Sequence, residues 1–400
     1  MRSNITKLYL LNLLSGIVFW YPIEKLFLQD IHVNAFGVSV NAVIFLTIQI
    51  IFDVPSGILA DKWNRKYVLV LAMLALAVGS IVGGVSTNLL VYLIATTLVG
   101  AFVVLTSGTF QAVMYDSLRD LKDQTHYDKH QGRASALFLA GLGFSSLAGG
   151  YIAELFDYRV TYFATAVIMI VAMIIAVTLK EPKAHKEIND KKLFEHVRFS
   201  LQKIKASQLL MQLALLLAAL NILRGAQNEY AGLYFIALGL GAIPIGYATA
   251  FKWLASSIGQ LVAPKIGRRA LWYAPLFFVA FTLFSFIESL WSLVFFFAAS
   301  FLYAVVANQA EAAVQDITPS EIRATTLSLL SFASNSLLIP LGLLFGWLAL
   351  ESVFIAYLMI STIGGIYLFI WFTKGHRLFA RVHKRAESSP APPSIGSELS

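Results

Sequence analysis

Twelve runs of apolar residues, each near the length at which a helix crosses a hydrocarbon layer, follow one another along this chain. They lie near 8–28, 38–60, 67–86, 89–115, 134–153, 160–179, 208–236, 243–264, 270–288, 291–315, 324–347 and 353–373. A crossing helix needs about 20 apolar residues, and in lipid its backbone groups must be satisfied within the segment. Strand alternation is absent, so a barrel is not expected. Composition agrees: 58% of the 400 residues are hydrophobic and 13% are charged, too little polar surface for a water-soluble domain. The sequence predicts an all-α integral membrane protein with twelve transmembrane helices. The first run follows Arg2 and Lys7, with no clear small-residue cleavage site after it. It reads as a retained span, not a removed signal peptide.

The placement of charge sets an orientation. All but four of the 30 Lys and Arg fall at the start, in the gaps 61–66, 116–133, 180–207, 265–269 and 316–323, or in the tail. The exceptions are Lys25, Arg159, Arg224 and Lys252. If the amino terminus is cytoplasmic, every one of those gaps faces the cytoplasm, which is the positive-inside pattern of a multi-pass plasma-membrane protein with both termini inside. The net charge of +8 therefore serves topology. No exposed segment is large enough to present a nucleic-acid face. The chain has no cysteine, which excludes a disulfide framework and a cysteine metal site. Neither a metal nor a cofactor is expected.

The longest polar interruption, 180–207, divides the spans six and six. The expected units are a six-helix bundle over 1–180, a linker over 181–207, a second bundle over 208–374 and a disordered cytoplasmic tail over 375–400. In the linker Leu193, Phe194, Val197, Leu201 and Ile204 fall at helical spacing. They suit an amphipathic helix on the inner membrane surface; a solvated charged linker is the alternative.

The halves repeat one another. Gln111-Ala112-x-x-x-Asp116 at the end of span 4 recurs as Glu311-Ala312-x-x-x-Asp316 at the end of span 10. Arg133-Ala134-Ser135-x-Leu137 opens span 5, and Arg323-Ala324-Thr325-x-Leu327 opens span 11. Asp61-Lys62-Trp63-Asn64-Arg65-Lys66 aligns with Pro264-Lys265-Ile266-Gly267-Arg268-Arg269. Three matches in register point to an internal duplication. Two six-helix bundles in one orientation imply a pseudo-two-fold axis along the membrane normal, with a cavity between them.

The gap between spans 2 and 3 carries one acid among its bases. Gly57 allows a neighbouring helix close. Asp61 is placed to meet a helix dipole or a basic side chain. Asn64 suits a left-handed turn. Arg65 and Lys66 hold the loop in the cytoplasm, and on the simplest reading Asp61 is incidental to a positive-inside loop. Thr318-Pro319-Ser320-Glu321 fits a capping box with proline at the first helical position of span 11.

The pattern Gly57-x-x-x-Asp61-x-x-x-Arg65-Lys66, set between the second and third spans, resembles the signature of the major facilitator superfamily. The twelve spans, the duplication and the long central loop resemble that family too, over about residues 1–375. Asn64 stands where Gly is commoner, and Pro264 replaces the acid in the second copy. The resemblance implies a transporter whose halves rock about a central site. It also implies that Asp61, Arg65 and Asp53, with Asp116 and the start of span 11 at Arg323, latch the inner ends together when the cavity faces outward. In span 5, Gly141, Ser145, Ser146, Gly149 and Gly150 resemble the glycine-rich fifth helix of drug–proton antiporters, with Ser145-Ser146 where Gly-Pro is typical. Small residues for close packing are the alternative.

Charges inside a span are costly and usually face a cavity or a partner. Glu24 follows Trp20-Tyr21-Pro22 in span 1. Arg224 sits mid-span 7, with Asn221, Gln227, Asn228 and Glu229 around it. Lys252 is mid-span 8, and Glu311 is in the inner third of span 10. The resemblance places spans 1 and 7 on the cavity, so these residues are candidates for a substrate or proton path, with Glu24 and Glu229 as proton carriers. An internal ion pair, for instance Arg224 with Glu24, is the alternative. Lys25 and Glu229 also have the option of snorkelling outward. Trp20, Tyr21, Phe27, Tyr230 and Tyr234 offer aromatic surface for an amphipathic substrate.

The expected function is secondary transport of a small molecule: proton-coupled export of an amphipathic compound, or alternatively uptake of a metabolite. The partners are that substrate, protons and the lipid bilayer, and the resemblance suggests a monomer. A Walker loop, H-E-x-x-H and G-x-S-x-G are all absent, so an enzyme is not expected. A non-transporting sensor would need a folded signalling domain, and no loop is long enough for one.

Overall fold

The structure is a computed structural model. It describes residues 2–62, 64–181, 202, 204, 207–319, 322–371 and 373, with the side chains of 53–62 and 323–325 outside the description. The linker helix expected over 193–204, apart from Gln202 and Ile204, and the tail over 375–400 lie outside the described residues, as do the side chains of Asp53, Asp61 and Arg323 and the packing around Gly57.

The first half contains α1 (Arg2–Gly16), α2 (Glu24–Asp30), α3 (Ala35–Lys62), α4 (Arg65–Val85), α5 (Leu89–Thr106), α6 (Thr109–Asp120), α7 (Tyr127–Leu155) and α8 (Tyr158–Val177). The second contains α9 (Gln208–Ala237), α10 (Ala242–Ile266), α11 (Ala274–Phe286), α12 (Ser292–Ile317), α13 (Arg323–Leu348) and α14 (Val353–Ile370). Among the described residues, ten helical stretches are long and apolar enough to cross a membrane. One of them, Ala242–Phe286, holds two crossings joined through a 3-10 turn at Gly267–Tyr273. The broken first span supplies the remaining crossing. The architecture is thus twelve spans in two six-helix bundles: α1 and α2 form span 1, α5 and α6 form span 4, and each other helix forms one span.

The sequence reads span 1 as one run, and the structure breaks it. Helix α1 stops at Gly16 and α2 starts at Glu24. Pro22 lacks an N–H and disfavours helical geometry at Tyr21. Span 5 packs against the break. A Cβ on Gly149 would lie 2.0 Å from the Phe19 carbonyl oxygen, and one on Gly141 would lie 2.4 Å from that of Leu13. The backbone groups freed by the break find partners. The Phe19 N–H donates to Thr165 Oγ1 at 3.0 Å, and Ser145 Oγ donates to the Gly16 carbonyl at 3.1 Å. Span 4 is also interrupted, at Gly108, whose φ of +73° suits glycine.

Span 5 faces span 8 as well. A Cβ on Gly150 would meet the Ala242 carbonyl at 2.7 Å, and one on Gly246 would meet that of Ser146 at 2.6 Å. The small residues of span 5 therefore serve close packing on two sides. Span 11 crosses span 2 where a Cβ on Gly346 would meet Ser39. Tyr151 and Tyr247 hydroxyls bond across the halves at 2.8 Å. All these contacts lie toward the end away from the basic loops, where the halves are closed on each other.

Two local expectations are corrected. Asn64 is extended (φ −67°, ψ 122°), not left-handed, and its side chain makes no cap bond. The N-terminus of span 3 is capped instead by Glu181, whose carboxylate accepts from the Arg65 and Lys66 N–H groups at 2.9 and 3.0 Å. Thr318 does not open span 11. It ends span 10, donating back to the Val314 carbonyl at 2.6 Å, and span 11 begins at Arg323 after a turn at Ile322.

The close crossing of spans 1 and 5 gives a paired test. Gly149→Ala should lower thermal stability in detergent relative to Gly143→Ala, whose Cβ meets nothing within 4 Å. Both changes gain the same helix propensity, so the difference reports the crossing, about 1–3 kcal/mol of overpacking. Equal melting temperatures would contradict the packing.

Candidate functional site between the halves

The break in span 1 makes Glu24 the first residue of α2, where a carboxylate meets the positive end of a helix. Its Oε1 accepts from Asn41 Nδ2 at 3.1 Å and from Tyr92 OH at 3.0 Å, and its Oε2 pairs with Lys25 Nζ at 2.5 Å. The network extends outward. Tyr92 bonds Tyr162 at 2.9 Å, and Thr96 donates to Asn41. Trp20 stacks on Tyr162 (5.3 Å, 5°) and donates to Ser80 Oγ at 3.2 Å. Trp20, Glu24, Asn41, Tyr92, Thr96 and Tyr162 border a cavity of about 270 Å³, which Glu229 and Trp253 line from the other half. Pockets that bind small molecules are mainly apolar with a few polar groups, as this one is.

Lys25 does not snorkel. It is 6% exposed, and its stem lies against span 7, where a Cβ on Gly232 would touch Lys25 Cγ at 2.6 Å. The alternative pairing of Glu24 with Arg224 does not form. Arg224 donates to Ser256 Oγ at 3.3 Å and stands 4.7 Å from the Tyr303 ring and 5.7 Å from the Trp253 ring. Tyr303 in turn donates to Asn221 Oδ1 at 3.0 Å. Lys252 donates to Asn228 Oδ1 at 2.6 Å and lies 4.8 Å from the Trp253 ring. A smaller polar chamber of about 40 Å³ brings Glu24, Lys25, Asn228, Glu229 and Lys252 together beside the break.

The candidates thus separate. Glu24, Gln227, Asn228, Glu229 and Lys252 line one inter-half space, while Arg224 lies near the Trp253 and Tyr303 rings and Asn221 bonds Tyr303. Gln227 is fully buried and turns to span 10, donating to the Phe296 carbonyl at 3.2 Å and accepting from Ser300 at 3.4 Å. It joins two helices of one half. Glu311 is exposed and sits two helical turns beyond Tyr303 on span 10, toward the basic end. Three of the expected aromatic groups are core. Phe27 packs on Tyr162 (4.8 Å), Tyr230 stacks on Phe345 (4.1 Å), and Tyr234 bonds the Phe284 carbonyl at 2.7 Å. The sequence reading missed Asn41, Tyr92, Thr96, Tyr162, Trp253 and Tyr303. Asn41 carried a signal, as an amide within the first two turns of span 2.

At the basic end, Arg65 pairs with Asp116, which Arg119 also reaches at 3.1 Å. In the second half Arg268 pairs with Asp316 and donates to the Gln309 carbonyl at 2.7 Å. The duplicated positions therefore carry the same ion pair twice, each within its own half. Tyr9 of span 1 bonds His130 of span 5 at 2.6 Å. Nearby, the His126 hydrogen bond holds the Asp123 carboxyl below its ordinary range.

The chain is 23% identical over 190 residues to Multidrug resistance protein 1 of Bacillus subtilis (strain 168), covering 46% of this chain and 48% of that protein. It is 22% identical over 168 residues to Quinolone resistance protein NorA of Staphylococcus aureus, covering 42% of each. The aligned part thus spans about half the length of these curated relatives. The fold is similar to that of the nucleoside transporter NupG, with a TM-score of 0.76 at 14% identity, over 96% of this chain and 100% of that one. The sequence model of the Major Facilitator Superfamily matches residues 8–335, and the chain belongs to that family of membrane transporters, which are not enzymes.

Proposed function

We propose that this protein is a secondary transporter of the plasma membrane that exports a small amphipathic molecule in exchange for protons. The observation that carries the reading is the cavity of about 270 Å³ between the halves, aromatic on its walls and bordered by two carboxylates, Glu24 and Glu229. The drug-resistance names of the relatives support export. Glu229 makes no hydrogen bond or ion pair among the described residues and is the proposed proton carrier. Glu24 holds three partners and is proposed to shape the cavity wall.

The charge placement supports cytoplasmic termini. In that orientation the cavity is closed toward the outside by the contacts of span 5 with span 8 and span 2 with span 11. The two bundles, over 1–180 and 208–374, are proposed to rock about this closed end. Arg65 and Asp116, with Arg268 and Asp316, are proposed to tie loop to helix so that each bundle moves as one body, and Asp53, Gly57, Asp61, Lys66 and Arg323 to complete the latch when the inner ends meet. Glu311 is proposed to lie on the inner approach to the cavity. A second reading is uptake by proton symport, supported by Lys252, whose side chain lines the smaller chamber together with Glu229.

Two experiments test the reading. In bacteria lacking their main efflux pumps, accumulation of amphipathic dyes should fall when the protein is expressed. The effect should vanish with a protonophore or with Asp61→Asn at matched expression. Accumulation that rises on expression would select uptake. Separately, Asp116→Asn should slow transport by about tenfold or more, since a charge-assisted bond is worth about 1.5–3 kcal/mol, while dye binding to purified protein stays unchanged. Lost binding with normal flux would place Asp116 elsewhere in the mechanism.

A further inference from the structure

Four basic side chains depart from the one-sided placement of charge: Lys25, Arg159, Arg224 and Lys252. Two are accounted for within the first half. Lys25 is paired with Glu24. Arg159 donates to the Gly84 carbonyl at 2.7 Å, at the end of span 3, and stands over the Phe27 ring. The helix carbonyls there favour a cation.

Arg224 and Lys252 have no such explanation. Among the described residues neither has a carboxylate within ion-pair distance. Lys252 is 3% exposed and its hydrogen-bond acceptor is a neutral amide. Arg224 makes one long bond to a hydroxyl and otherwise rests on ring faces. Ring faces offset only part of the cost of desolvating a cation. Both cations flank the Trp253 indole, and Trp253 lines the aromatic cavity. The acid nearest this space in the second half is Glu229, one negative charge against two positive ones.

We propose that the cargo carries an anionic group, of the carboxylate or sulfonate type, on an aromatic or apolar body. This rests on the reading of the cavity as the transport path. The anion sits between Arg224 and Lys252, beside Trp253, and its body enters the space lined by Trp20, Tyr92 and Tyr162. The guanidinium suits it: of five N–H donors, one is engaged by Ser256, and the fork matches a carboxylate. The cavity of about 270 Å³ is at the small end of ligand pockets, roughly 300–1,000 Å³, and fits a body of one or two rings. A proton on Glu229 removes the negative charge that opposes the anion. Proton and anion therefore favour each other's binding, which is the coupling of the second reading, uptake by proton symport, and the opposite of exchange.

The test is a matched pair of probes with one ring system and opposite charge. Binding of 1-naphthaleneacetate and 1-naphthylmethylammonium to the full-length protein in nanodiscs is measured by calorimetry. The acetate should bind at least about tenfold more tightly, the scale of one charge-assisted contact. Arg224→Gln and Lys252→Gln should each remove most of that preference, Arg224→Lys should restore part of it, and Glu229→Gln should tighten acetate binding. Equal or tighter binding of the ammonium, binding of neither probe, or unchanged acetate affinity in Arg224→Gln overturns the proposal. Should a variant fail to fold, the preference of the unaltered protein decides alone. Flux of 1-naphthaleneacetate in proteoliposomes separates the two claims: selective binding without flux sinks the transport reading and keeps the anion site, whereas flux of the ammonium alone does the reverse.

Discussion

Backbone that leaves the helix inside a membrane must find its hydrogen bonds elsewhere, and residues 17–23 are where this protein meets that demand. Each unsatisfied buried group would cost a few kcal/mol. Thr165 accepts from the Phe19 N–H, and Ser145 donates to the Gly16 carbonyl. Gly141 and Gly149 let the loosened chain lie against span 5. The break turns residue 24 into a helix start within the protein. There a carboxylate gains the helix dipole, two neutral donors and a lysine. The aromatic cavity is built around that point, so one local irregularity positions the site.

The two halves keep a common scaffold and differ inside. Arg65 with Asp116 and Arg268 with Asp316 are the same joint made twice. Within the membrane the resemblance stops. The first half presents an acid held by Tyr92 and Asn41, whereas the second presents Arg224 and Lys252 around one indole. A duplicated frame gives the two halves the same joint at the basic end, and the unlike interiors set different chemistry on the two sides of the space between them.

The spans, their number and the duplication were legible because lipid imposes length and apolarity on each segment. The Arg65 and Asp116 positions were legible because the repeat aligned them. The break in span 1 was not, since Trp20-Tyr21-Pro22 is apolar by hydropathy and its consequence depends on Thr165 and Gly149, far along the chain. Glu181 was read as part of a linker, although it caps span 3, because nothing local ties residue 181 to residue 65. The partner of Glu24 was missed for a similar reason: Lys25 looked free to reach the surface, and only the fold shows its stem held against Gly232. Tyr92 and Tyr162 carry no local signal of their role, since their hydroxyls meet only when spans 4 and 6 pack on span 1.

The central claim is that the halves are closed at one end in this conformation and exchange that closure for the other. The chain has no cysteine, so paired labels can be introduced directly. Spin labels at Glu154 and Gly241, whose Cβ position lies 3.8 Å from the Glu154 carboxylate, report the closed end. Labels at Lys129 and Lys265 report the basic end. Measured by pulsed electron resonance, the first distance should lengthen and the second shorten together on acidification or addition of a transported probe. Distances that stay fixed, or that change at one end only, would contradict the account.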